Sequence, residues 1–298
     1  MKKLYTISIF LSFMGLWISS YLSGDIEIVL GFILIFSFGL LHGSNDVLLI
    51  HKISEHKHSL MRVLFFYVLT VFLAVVTFYI VPIVALSLFI IFSAFHFGEQ
   101  HYEHYHFKIE SYVLNTFYFF YGMLVLQILF ILNSDEVISI VNSIAHILID
   151  ISHLKIAFFT GLFLFLSLGS FMAYASKSFR SIAIREVFYL LIFGIIFKVS
   201  TLIWSFTIYF IFWHSFPSIY EQVSFLYQNF NKNTLFQYSK KAFPYWIFSL
   251  FGVSIIFYIF RHDEIFYAIF FSFIAAITFP HALVINKMFY SKRAKKLD

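Results

Sequence analysis

The residues of this chain able to do chemistry are its histidines. The stretch SAFHFGEQHYEHYHF, residues 93–107, carries four of them and two glutamates directly after an apolar run. There are 13 histidines in all and no cysteine, so disulfides, thiol catalysis and thiolate metal sites are excluded. A bound metal would take His, Asp or Glu ligands, which suits iron, manganese or zinc better than copper(I). Four histidines stand inside apolar segments: His42 in LLHGSNDVLL, His96 in AFHFGEQ, His214 in WHSFPS and His281 in FPHALV. An ionisable side chain at membrane depth is costly and marks function by default, and neutral imidazole is a good ligand for iron, zinc or copper. Taken singly, each of the four reads equally well as a hydrogen-bonded packing residue.

Two acids accompany them. Asp46 follows His42 by four residues and Glu99 follows His96 by three, so each pair shares a helix face. A carboxylate that accepts the ring N–H of a ligating histidine fixes its tautomer and strengthens it as a donor. The competing reading is that both acids end helices near headgroups. For Asp46, which precedes the apolar Val47 to Ile50, the metal-supporting role is favoured.

The other histidines fall mostly in two polar groups, His51, His56 and His58 in HKISEHKH and His101, His104 and His106 in HYEHYH. They faintly suggest the histidine boxes of membrane di-iron enzymes, but no third box follows, so polar interface loops are the simpler reading. His101, five residues beyond His96, stands near enough to touch a shared site. Lys198 lies between apolar runs, where a Schiff base with retinal can be imagined. Its place near a helix end makes snorkelling the better account.

The elements that must position these residues are membrane helices. Of 298 residues, 61% are hydrophobic and 12% charged, with a mean hydropathy of +0.89, against roughly half apolar and a quarter charged in a soluble domain. Solid apolar runs, rather than alternating ones, predict an all-α polytopic bundle. Ten spans are expected, over 4–22, 26–50, 62–80, 83–99, 111–132, 154–175, 182–198, 200–217, 243–260 and 264–288. Eight remain if 182–198 and 200–217 are re-entrant. The first is read as a retained helix rather than a cleaved signal peptide.

Residues 135–151 place Val137, Ile140, Val141, Ile144, Leu148 and Ile151 at helical spacing and predict a helix lying in the interface. Residues 218–242 are the longest polar connection, and the chain is read as one domain. With the N-terminus inside and the sides alternating, every one of the 20 Lys and Arg except Lys155, Lys198 and Arg261 faces the cytoplasm. Asp25, Glu27, Asp135, Glu136, Asp263 and Glu264 then lie at the outer ends. This bias predicts both termini in the cytoplasm. The formal charge of +5 is thereby explained without nucleic acid, since the basic residues form no patch.

In this topology His42, His96, His214 and His281 sit on the second, fourth, eighth and tenth helices, all running outside to inside. Their distances from the helix ends place them within roughly 8 Å of one level, so they can converge on a single metal.

LHGSNDVLL (41–49), AFHFGEQ (94–100), WHSFPS (213–218) and FPHALV (279–284), in this order, resemble the Brp/Blh family of membrane β-carotene 15,15′-dioxygenases. The likeness is strongest over about 40–285. It implies central cleavage of β-carotene by O2 to two molecules of all-trans-retinal, a ferrous ion held by histidines, a bacterial inner-membrane location and possible hand-off of retinal to a rhodopsin. Matched motif by motif, His42, His96 and His214 take ligand positions. Many members carry a further histidine where this chain has Ser218, so His281, by its depth, is expected to supply the fourth ligand, with water as the fallback. No residue need act as a nucleophile. The abundance of Phe and Tyr, 45 and 19 residues, suits walls for a polyene. Two other functions stay open: a membrane di-iron lipid or carotenoid hydroxylase using the loop histidines, and a transporter whose buried histidines carry protons or metal ions.

Overall fold

A computed structural model of the chain describes residues 2–54, 60–260 and 266–294. The expected positions of His56, His58, Lys57, Arg261, Asp263, Glu264, Lys295 and Lys296 lie outside the described residues. Every regular element among the described residues is helical. In chain order these are α1 (Lys2–Ser19), α2 (Gly24–Leu34), a π-helical turn at Ile35–Gly39, α3 (Leu40–Gly43), α4 (Asp46–Ile53), α5 (Leu60–Ile80), α6 (Pro82–Tyr102), α7 (Ser111–Leu132), α8 (Ser134–Ala145) and α9 (Ile151–Ala175). They continue with α10 (Lys177–Val199), α11 (Leu202–Ile208), a second π turn at Tyr209–Ser215, α12 (Phe216–Tyr227), α13 (Lys232–Phe260) and α14 (Phe266–Ala294). Seven of the described helical stretches are long and apolar enough to cross a membrane: Gly24–Ile53, Met61–Ile80, Pro82–Tyr102, Ser111–Leu132, Ile151–Ala175, Leu202–Tyr227 and Ile269–Arg293.

The expected second span is present as the helical stretch Gly24–Ile53, with a π turn and a break at Ser44–Asn45 inside it. Two sequence expectations are corrected. The interfacial helix stops at Ala145, where His146 turns left-handed at φ 55° and its N–H caps the Asn142 carbonyl. Leu148, expected on the apolar face, is consequently 84% exposed. The supposed connection 218–242 is almost wholly helical, in α12 and α13. Its residues Ser218, Glu221, Gln222 and Val223 are buried, so the polar groups there are packed rather than solvated.

The chain forms two compact units. One comprises residues up to Ile33, Ile90–Asn142 and His146–His214. In it α7 packs along α9 and α10 and meets α6 where side chains are too small to separate the backbones. A Cβ on Gly98 would fall 1.8 Å from the Tyr118 carbonyl oxygen, and one on Gly122 would fall 1.9 Å from that of Ala94. This is the close approach that small residues four apart permit between membrane helices. His96, two residues from both Ala94 and Gly98, lies about 200° round the helix and so faces away from α7. Side-chain caps start α9, α10 and α11: Asp150 accepts from Ser152 N–H, Ser176 from Phe179 N–H and Thr201 from Trp204 N–H.

The other unit comprises Leu34–Phe89, Ser143–Ala145 and the residues from Ser215 on. Here α14 packs along α5 and against α4, with Leu49, Val284, Ile285, Met288 and Phe289 forming its core. The break between α3 and α4 is held from α13, since Asn45 Nδ2 donates to the Tyr238 carbonyl at 3.1 Å.

Candidate metal-binding residues

All four intramembrane histidines are buried, at 1–4% exposure, and each unit holds two of them. In the first unit His96 comes from α6 and His214 from the second π turn. Their ring centres are 4.8 Å apart, with the planes at 77°. A π turn displaces backbone carbonyls from the regular ladder and is common at functional sites. Side chains take up the displaced groups: Ser8 Oγ donates to the Phe212 carbonyl at 2.5 Å and Gln100 Nε2 to the His214 carbonyl at 2.7 Å. Trp213 Nε1 donates to Ser12 Oγ at 2.9 Å. Phe210 stacks on the His214 ring at 16° and Phe97 meets it edge-on, so the imidazole is clamped in orientation. Glu99 is fully buried on α6.

In the second unit His42 on α3 and His281 on α14 have ring centres 4.7 Å apart and planes at 88°. His42 Nδ1 is hydrogen-bonded to the Gly39 carbonyl. A carbonyl only accepts, so Nδ1 carries the proton and the ring lone pair is on Nε2. His281 Nδ1 lies 2.9 and 3.0 Å from the two oxygens of Asp46, which sets the same tautomer. Tyr67 OH donates to Asp46 Oδ2 at 2.9 Å. Gln222 Nε2 donates to the His42 carbonyl at 2.8 Å and to Ser218 Oγ at 2.9 Å, while Tyr238 OH donates to Gln222 Oε1 at 2.8 Å. Ser218 Oγ thus accepts from the same Gln222 amide that holds the His42 carbonyl of α3.

The donor set fits a first-row metal. Two imidazoles bound through nitrogen at about 2.1 Å on adjacent corners would set their ring centres about 4.6–5.3 Å apart. Both observed pairs fall in or near this interval and are edge-on, which keeps neighbouring rings from clashing.

His101 stands elsewhere than a shared site. Its Nε2 is 2.6 Å from Glu186 Oε2, and Tyr121 stacks on its ring at 4.8 Å. Tyr105 OH reaches Glu186 Oε1 at 3.3 Å. His106 is exposed, and His51 and His104 are half-buried. Sequence reasoning missed Glu186, Tyr67 and Gln222. Glu186 carried a usable signal, an acid within an apolar run; Tyr67 is one of 19 tyrosines and carried none.

The family model described as beta-carotene 15,15'-dioxygenase matches residues 33–289. No curated protein and no solved structure matches the chain.

Proposed function

Because the chain belongs to the beta-carotene 15,15'-dioxygenase family, we propose that it cleaves β-carotene with O2 at the 15,15′ double bond, giving two molecules of all-trans-retinal. A ferrous ion would be held by His42, His214 and His281, each giving one ring nitrogen, with His96 as the fourth ligand. The observation that carries this reading is the commitment of His42 and His281 through Nδ1, which leaves Nε2 as the donor atom on both rings. The metal would supply O2 activation beside the alkene. The protein's own part is orientation. Asp46 holds His281 in one tautomer, the first π turn leads into the helix that carries His42 and the second carries His214, and Glu99 lies buried three residues beyond His96 on α6. Aromatic side chains such as Phe97 and Phe210 beside His214 would offer apolar walls to a polyene that dissolves only in the bilayer.

Ten spans with both termini cytoplasmic, in a bacterial inner membrane, fit the charge bias, and a rhodopsin is the natural acceptor of the retinal. The di-iron alternative draws on the loop histidines. Among the described residues, no metal-spaced group of His, Cys, Asp or Glu includes one of them.

Expression in a β-carotene-making bacterium tests the activity: yellow colour should fade as retinal appears, and unchanged pigment would refute it. His42→Ala, His96→Ala, His214→Ala and His281→Ala should each stop the fading and lower bound iron, whereas His106→Ala should do neither. One iron per chain separates this reading from a di-iron enzyme. Retained cleavage without iron would refute it.

A further inference from the structure

Within the second unit, α5 and α14 border a groove of about 310 Å³ that the proposed chemistry does not use. Arg62 and Lys287 line it, one near the start of α5 and the other in the last third of α14. Both are exposed. From Arg62 the groove follows one face of α5 through Phe66 to Thr70, about 12 Å; from Lys287 it runs back along α14 through Val284 and Leu283 to Pro280, about 10 Å. The groove thus carries two cations, and apart from Tyr67 and Thr70 the rest of its lining is apolar.

We infer that this groove binds an anionic phospholipid, with the headgroup phosphate between Arg62 and Lys287 and the first part of an acyl chain along Phe66, Leu283 and Val284. Basic pockets between membrane helices recognise lipid headgroups in this way. A length of about 12 Å cannot seat a polyene about as long as the hydrocarbon core is thick, roughly 30 Å, which argues against β-carotene as the occupant. Tyr67 lines the same groove and donates to Asp46, so the occupant would rest one side chain away from the partner of His281. The inference stands independently of the proposed cleavage reaction.

The test uses the full chain expressed in membranes containing phosphatidylglycerol and purified in mild detergent, with co-purifying lipid measured by mass spectrometry. Wild type should retain phosphatidylglycerol in preference to phosphatidylcholine after exchange into mixed nanodiscs. The double variant Arg62→Gln/Lys287→Gln should lose that preference by roughly 30-fold, the effect expected for two cations. Lys240→Gln/Lys241→Gln, which removes two charges from α13, should keep it. Leu283→Trp fills the apolar wall and leaves both cations, and it should also shed the lipid. Excess inorganic phosphate should not displace it. Equal retention by the Arg62/Lys287 variant, retention by Leu283→Trp, or displacement by free phosphate would each overturn the inference; the last two would identify a bare anion site instead. Thermal melting of every variant confirms that it is folded, and an unfolded double variant leaves Leu283→Trp and the phosphate competition to decide.

Discussion

Asp46→Asn is the most informative single change to the candidate metal site. The carboxylate is 1% exposed and takes three contacts, two from His281 Nδ1 at 2.9 and 3.0 Å and one from Tyr67 OH at 2.9 Å. Asparagine has the same shape but one acceptor oxygen in place of two, and it carries no charge. Its amide nitrogen cannot accept, so one His281 contact is lost in either orientation, the Tyr67 bond goes too where nitrogen takes the Oδ2 place, and His281 loses the anion that raises its basicity. Loss of such a partner typically weakens metal binding 10- to 100-fold, or about 1.4–2.7 kcal/mol. Tyr67→Phe removes one of the three contacts and keeps the charge, so about 1 kcal/mol is expected. The assay is competition for Fe(II) against a chromogenic chelator with detergent-solubilised protein, alongside melting of the metal-free form to separate affinity from folding. Affinity unchanged in Asp46→Asn, or Tyr67→Phe weaker than Asp46→Asn, would refute the assignment of Asp46 as the partner of a ligating His281.

Gly98→Ala should lower unfolding stability by about 2 kcal/mol or more, because the new Cβ meets backbone at 1.8 Å; Gly194→Ala, with nothing within 4 Å, serves as the thermal-melting control. Glu186→Gln should cost about 1–3 kcal/mol by removing a charged acceptor from buried His101, while iron per chain stays at the wild-type level; a loss of iron would place His101 in the metal site after all. At the start of α9, the Ser152 hydroxyl and N–H hold the Asp150 carboxyl below its usual range. This depressed value means the cap contributes above the unfolded carboxylate range near pH 3.9 and is lost as pH falls through the lower folded value. Hydrogen exchange at Ser152 and His153 should therefore quicken at acid pH relative to Asp150→Asn, and identical profiles would refute the cap's charge dependence.

The helical class was legible because solid apolar runs leave a membrane chain few other options. The family was legible from four short motifs in order, and its model covers residues 33–289. The histidines stood out as ionisable groups among apolar ones, and the structure buries all four and pairs them edge-on within each unit. What stayed hidden were interactions joining distant parts of the sequence. Gln222 reaches back 180 positions to the His42 carbonyl and His281 reaches 235 to Asp46, and no local periodicity encodes either. The π turns were equally invisible, since IFSFG and YFIFWHS read as ordinary helix.

Those turns bear on how the chain tolerates change. A widened loop of helix holds one residue more than the regular winding needs. Deleting a single residue from 209–213 would let the segment relax into an unbroken spiral, with better backbone geometry than it has now. The helix beyond would keep its register, but the residues within the turn would shift round the axis, carrying the His214 imidazole off Phe210. Here the less regular winding is what sets His214 between Phe210 and His96, and a variant with a tidier helix would lose that placement.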